Sequence, residues 1–181
     1  MLEELLRSGF EALGIGLDSR ALERYRIYYE YLEEMNKLMN LTAISGEEDV
    51  ARLHFLDCAQ LMKAESFAGK RVIDVGTGAG FPGLPLRILR PDIQLTLLDS
   101  LQKRIGFLTA LCQALGFADV TLLHARAEDA GRDAALRGKF DIALSRAVAP
   151  FPVLLELTVP FLKVGCKSLM YKGPQAQSEL Q

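Results

Sequence analysis

Two carboxylates and a glycine-rich turn are the residues of this chain best placed to do chemistry. Asp74 lies in Val72-Ile73-Asp74-Val75, and Gly76-Thr77-Gly78-Ala79-Gly80-Phe81-Pro82-Gly83 follows at once. The first run is apolar and β-branched, which reads as a buried strand. Asp99 closes a second such run, Ile93–Leu98. Glycine is needed where φ is positive, or where backbone must approach a ligand with no Cβ in the way. The turn feeds a helix start, where unpaired N–H groups and the helix dipole favour an anion. A nucleotide-type cofactor is therefore expected here. Metal chemistry is not: there are only two histidines, and Cys58, Cys112 and Cys166 are far apart in apolar contexts. An odd number of isolated cysteines implies reduced thiols, with no disulfide frame and no Cys-x-x-Cys zinc site.

Two cofactors compete for the turn. Gly78, Gly80 and Gly83 have the G-x-G-x-x-G spacing of dinucleotide folds, with Asp99 about 20 residues on, which would suit an NAD-binding oxidoreductase. The other pattern is Asp74-x-Gly76-x-Gly78-x-Gly80 with a carboxylate ending strand two. It resembles the class I S-adenosylmethionine-dependent methyltransferases. Asp74 discriminates, because a carboxylate is poorly placed beside an anionic pyrophosphate and suits a cofactor carrying an ammonium and a sulfonium. On this reading Asp74, Gly76, Thr77, Gly78, Gly80 and Phe81 form the cofactor loop. Asp99, with Ser100, takes the ribose hydroxyls, and Ala127-Glu128 borders the adenine.

These residues need a scaffold. From residue 71 onward strands alternate with helices: strands at Arg71–Val75, Ile93–Leu98, Val120–Leu123, Phe140–Leu144 and Lys167–Tyr171, and helices at Phe81–Leu89, 101–115, 127–137 and Phe151–Leu162. Gly165 is expected to close the last helix. That alternation implies an α/β fold, a doubly wound, mostly parallel sheet that binds ligands at the carboxyl ends of its strands. Residues 1–65 read as a helical extension on a domain of 66–181, the two forming one structural unit. Asp18 is the expected N-cap of the helix carrying Leu22, Tyr25, Tyr29, Leu32 and Met35. Ser45-Gly46-Glu47-Glu48 has capping-box form. Tyr25, Tyr28, Tyr29 and Tyr31 suggest RNA stacking, but their spacing fits a core face better.

The bulk numbers agree with a single globular unit. Of 181 residues, 50% are hydrophobic and 24% charged. No apolar run approaches membrane-spanning length. The start, Met-Leu-Glu-Glu, lacks the basic flank of a signal peptide, so a cytoplasmic location is expected. Residues 1–65 carry seven Lys/Arg against thirteen Asp/Glu, whereas the remainder carries fourteen against ten. A mildly basic second part is compatible with a nucleic-acid-facing surface.

Further blocks sharpen the reading. They are Asn40-Leu41-Thr42-Ala43-Ile44, Arg52-x-His54-Phe55-Leu56-Asp57, Asp99-Ser100-x-x-Lys103-Arg104, Ser145-Arg146-Ala147-Val148-Ala149 and Lys172-Gly173. Together with the glycine loop they resemble the RsmG (GidB) family of bacterial methyltransferases, in the family's order and over essentially the whole chain. The resemblance implies methylation of guanine N7 in 16S ribosomal RNA, with the small ribosomal subunit as partner and a monomeric enzyme. It makes Arg146 the principal catalytic candidate, acting on catalysis or RNA position rather than on folding, and also a candidate cofactor contact through the cofactor carboxylate, and it adds His54. Asn40, Lys103, Arg104 and Lys172 become candidate RNA contacts. Relative to the family the chain looks short at its C-terminus, lacking a helix and hairpin after Lys172-Gly173. A non-catalytic RNA-binding assembly module is the remaining alternative. N7 has a free lone pair, so attack needs no strong base. The end of strand four lacks the Asp/Asn-Pro-Pro-Tyr/Phe of exocyclic-amine methylation.

Overall fold

A computed structural model describes residues 1–146 and 149–172; Ala147, Val148 and Gly173 of the blocks above lie outside them. The N-terminal part contains helices α1 (Leu2–Leu13) and α2 (Ser19–Met39), then a helical run. That run comprises α3 (Glu47–Val50), a π-helical stretch (Ala51–Leu56), α4 (Asp57–Ala59) and α5 (Leu61–Ala64). The strands are β1 (Arg71–Val75), β2 (Gln94–Asp99), β3 (Thr121–His124), β4 (Phe140–Arg146) and β5 (Leu162–Tyr171). Between them lie α6 (Gly83–Leu89), α7 (Gln102–Ala114), α8 (Ala127–Ala130) and α9 (Phe151–Thr158). All strand pairings are parallel, in the order β3-β2-β1-β4-β5. The register sets Asp74 beside Leu97 and Leu144, so the carboxyl ends of β1, β2 and β4 reach one level.

Alternation along the strands supplies both faces of the sheet with apolar side chains. Val72, Leu97 and Leu144 join Phe10, Tyr25, Tyr28, Leu32 and Phe55 in one buried cluster, so the N-terminal helices and the sheet share a core. Ile73, Val75, Leu98 and Ala143 face the opposite way, with Ala130, Phe140 and Phe161. Tyr25 and Tyr28 are fully buried, in keeping with the core reading of the tyrosines. Their hydroxyls, which burial would otherwise leave unsatisfied, donate to the backbone oxygens of Pro85 (2.9 Å) and Ala79 (2.6 Å). Tyr28 thereby braces the glycine loop from beneath.

Several boundaries differ from expectation, each for a local reason. Asp18 does cap α2, accepting from the Ala21 amide at 2.7 Å. The capping box at Ser45 does not form; α3 starts from Gly46, whose N–H is held by the Glu33 carboxylate of α2 at 3.0 Å. Helix α6 begins at Gly83, not Phe81, because the amides of Gly80 and Phe81 both turn back onto the Thr77 oxygen. The helix expected over 127–137 ends at Ala130; beyond it the Asp133 carboxylate and carbonyl accept the Ala135, Leu136 and Arg137 amides as successive turns. Strand β5 begins at Leu162, before Gly165, and Gly165 marks an irregularity rather than a helix stop. Phe140 pairs with Leu162 but Ile142 with Lys167, so the intervening β5 residues bulge from the ladder.

Candidate active site

The glycine loop is held between its two carboxylates. Asp74 is fully buried. Its Oδ2 accepts from Thr77 Oγ1 (2.8 Å) and the Gly83 amide (2.8 Å), while Oδ1 has no partner. The amides of Gly76 and Thr77 both donate to the Leu98 oxygen, at 2.8 and 3.1 Å, which fastens the loop to β2. Asp99, also buried, accepts the Gly78 amide on Oδ2 at 2.9 Å and the Leu101 amide on Oδ1 at 2.9 Å. Arg104 Nη1 stands 3.4 Å from the same Oδ2.

Two glycines have distinct tasks. Gly78 has φ +60°, and a Cβ there would meet nothing within 4 Å, so its bare backbone faces open space. Gly80 has φ +100°, and its Cβ would lie 2.6 Å from Tyr28 Oη and 2.7 Å from Leu84 Cδ1. Gly80 therefore serves close packing on the core side, and Gly78 serves the open side.

A cleft of about 190 Å³ opens at the carboxyl ends of β1 to β3. It brings together Gly76, Asp99, Ser100, Ala127 and Glu128 from the sequence-expected set. Val75, Leu98 and Leu157 give it apolar walls, and Arg126 stands at its rim. Arg126 and Leu157 were not expected: one is an exposed helix N-cap, and the other reaches over from α9. A larger open groove between α9 and β5 contains none of the expected residues.

Phe81, His54 and Arg146 gather on the opposite side of the loop. The Phe81 ring is stacked between Tyr28 (5.2 Å between centroids) and His54 (4.0 Å), with interplanar angles of 5° and 6°. Its side chain is thus committed to the core, and only its backbone remains near the loop. His54 is buried, with Nε2 3.0 Å from Thr42 Oγ1 and Nδ1 unpartnered. Burial, helped by the Arg146 charge, lowers its pKa to about 3, so the ring is neutral near pH 7. This is the setting of a structural ring rather than of an accessible acid or base. Thr42 is the residue of the Asn40–Ile44 block that reaches this layer. Asn40 itself is exposed and ends α2 in a left-handed conformation with φ 49°.

Arg146 ends β4 on the same side. Its Nη2 donates to the Leu53 oxygen at 2.8 Å and lies 3.9 Å from Asp57 Oδ2, while Nη1 lies 3.6 Å from Cys58 Sγ. Its guanidinium carbon is 5.9 Å from the Phe81 ring centroid and 5.7 Å from that of Tyr171. Lys103 is exposed, Arg104 leans on Asp99, and Lys172 Nζ donates to the Ala149 oxygen at 2.9 Å. Among the described residues no three His, Cys, Asp or Glu side chains are grouped to hold a metal ion.

Burial also raises the Asp74 pKa from 3.8 to about 7. A raised folded pKa favours the folded state at low pH, and this support is lost as pH climbs from about 4 to about 7. The depressed His54 pKa works the other way: its support is full above 6.5 and lost as pH falls toward 3. The two slopes oppose. Asp74→Asn is expected to unmask the histidine, so denaturant titrations of that variant should show stability rising between about pH 3 and 6.5 more steeply than in the wild type. Equal slopes would show that Asp74 is not neutralised by burial.

Comparison with known proteins bears on what this site is. The family model described as GidB, rRNA small subunit methyltransferase G, matches residues 21–181. The ribosomal RNA small subunit methyltransferase G of Clostridium perfringens (strain 13 / Type A) is 44% identical over 178 residues, covering 98% of this chain and 74% of that protein. Its counterpart from Caldanaerobacter subterraneus subsp. tengcongensis is 45% identical over 179 residues, covering 98% and 75%. Among solved structures, a SAM-dependent methyltransferase from Aquifex aeolicus superposes with a TM-score of 0.53 at 20% identity, covering 71% of this chain and 74% of that one. A putative caffeoyl-CoA O-methyltransferase from Staphylococcus aureus gives 0.60 at 13% identity, covering 93% and 71%. These likenesses establish the fold as class I methyltransferase-like, with the strand order seen here. The dinucleotide reading of the glycine loop gives way to them, and on the family match and the near whole-length identity the chain belongs to the GidB family of rRNA small subunit methyltransferase G.

Proposed function

We propose that the chain methylates N7 of a guanine in 16S ribosomal RNA, using S-adenosylmethionine, with the small ribosomal subunit as its substrate. A cytoplasmic monomer suits that role. The observation that carries the cofactor assignment is the loop itself, a Cβ-free face at Gly78 between two buried carboxylates. S-adenosylmethionine, when bound, supplies an electrophilic methyl on a sulfonium. The residues present fit it. Asp99 retains acceptor capacity toward a ribose beside Ser100, and Ala127 and Glu128 border the cleft where a base would lie. Asp74 braces the loop from beneath, through Thr77 Oγ1 and the Gly83 amide.

The substrate assignment rests on family membership and on what the chain's own residues can do. Guanine N7 needs orientation rather than deprotonation, and positioning alone supplies several kcal/mol of a barrier. His54 is neutral and buried, and the Asp57 carboxylate beside Arg146 faces its guanidinium. Arg146 contributes a fixed guanidinium, which can bind a phosphate or a guanine edge. Lys103 and Arg104 open α7 beside Asp99 and suit phosphate contacts. The test is methyl transfer to small subunits from a strain lacking the gene. Incorporation into those subunits, and not into subunits already carrying the modification, is the expected result.

A further inference from the structure

Arg146 is held by more than hydrogen bonds. It is the register partner of Tyr171 across β4 and β5, so both side chains leave the sheet on one face. The guanidinium carbon lies within 6 Å of two ring centroids, Phe81 at 5.9 Å and Tyr171 at 5.7 Å. Such contacts attract a cation to the ring face, more strongly where water is excluded. The Phe81 wall is fixed by its own stacking on Tyr28 and His54. The Tyr171 wall is fixed by its hydroxyl, which donates to the Asp57 oxygen at 2.5 Å. That bond ties the end of β5 to the start of α4, one turn beyond Leu53, whose oxygen anchors Arg146.

We propose that Tyr171 is a positioning residue for Arg146: its ring holds the guanidinium in place at the glycine-loop side of the sheet, and its hydroxyl holds the ring. The inference rests on the reading of Arg146 given above. Burial pushes the Tyr171 hydroxyl pKa well above its ordinary value, so it stays a donor throughout the working range. Tyr171 does not border the cleft assigned to the cofactor. Its loss should therefore act on turnover and leave cofactor affinity alone, a separation that a general loss of stability would not produce.

The experiment compares Tyr171→Leu, Tyr171→Phe and Arg146→Lys in methyl transfer to small subunits, with S-adenosylhomocysteine affinity measured in parallel. Tyr171→Leu should lower kcat about tenfold with unchanged cofactor affinity, the scale of a lost desolvated cation–ring contact. Tyr171→Phe keeps the ring and should stay within about threefold of wild type, since a neutral hydrogen bond is the smaller loss. Tyr171→Leu added to Arg146→Lys should cost little more than Arg146→Lys alone, because the two act as one unit. If the leucine variant does not fold, Tyr171→Met, which fills the space without an aromatic face, takes its place. A normal kcat in the leucine or methionine variant, a phenylalanine variant as impaired as either, or additive losses would overturn the proposal. If Arg146→Lys itself turns over normally, the Arg146 reading fails and the proposal falls with it. Impaired Arg146→Lys beside normal Tyr171→Leu sinks this inference alone.

Discussion

Arg146→Lys lowers methyl transfer by about a hundredfold, the scale of removing one preorganised donor from a reacting site. Lysine keeps the charge but not the planar fork that reaches Leu53, Cys58 and two ring faces together. Arg146→Ala is expected to lose at least as much activity, and it also destabilises. It leaves the Leu53 oxygen without its guanidinium partner, a cost of about 1–2 kcal/mol. For a chain of this size that is a drop of several degrees in melting temperature. The sequence alone suggested a residue acting on catalysis rather than folding; its contacts add a structural share to the role proposed for it. Turnover per folded molecule, measured beside thermal melts, separates the two effects. Normal turnover in the lysine variant would remove Arg146 from the reaction.

Gly78→Val is expected to weaken S-adenosylhomocysteine binding beyond about a hundredfold while the sheet stays folded. The position has φ +60°, which costs an L-residue about 1–2 kcal/mol. A β-branched side chain there projects into the open space that the Gly78 backbone now faces, and it disturbs the 2.9 Å bond from the Gly78 amide to Asp99. Gly78→Ala makes the same intrusion with one carbon and should weaken binding less. Calorimetry gives the affinities, and circular dichroism checks the fold. Unchanged affinity in the valine variant would move the cofactor away from this loop.

The legible part of the molecule was the part set by local pattern. Val72–Val75 and Leu95–Leu98 are apolar runs whose alternation serves two buried faces, and the glycines between them can satisfy few other geometries. Hence the parallel sheet, the loop and the Asp99 cleft were readable from the chain. Tyr25 and Tyr28 were readable as core because helical spacing put them on one face. What the sequence hid depends on distant partners. Asp74 was expected to face the cofactor, yet its bonds run to Thr77 and Gly83, which only the packing of α6 on β1 reveals. His54 entered only through the family block; its stacking on Phe81 and its bond to Thr42 depend on partners far along the chain. Tyr171 carried no motif, and its place beside Arg146 follows from strand register. The start of β5 was missed because Gly165 suggests a stop, whereas the ladder absorbs it in a bulge.

The central claim is that the methyl lands on guanine N7, and the product nucleoside tests it most directly. N7-methylguanine carries a positive charge that weakens its glycosidic bond, so borohydride reduction followed by aniline breaks the RNA chain at the modified base. Small subunits from a strain lacking the gene, treated with the chain and S-adenosylmethionine, should yield 16S RNA cleaved at one position. Mass spectrometry of the digested RNA should show N7-methylguanosine as the new nucleoside. Product consisting only of N2-methylguanosine or 5-methylcytidine, with no aniline-sensitive site, would contradict the account.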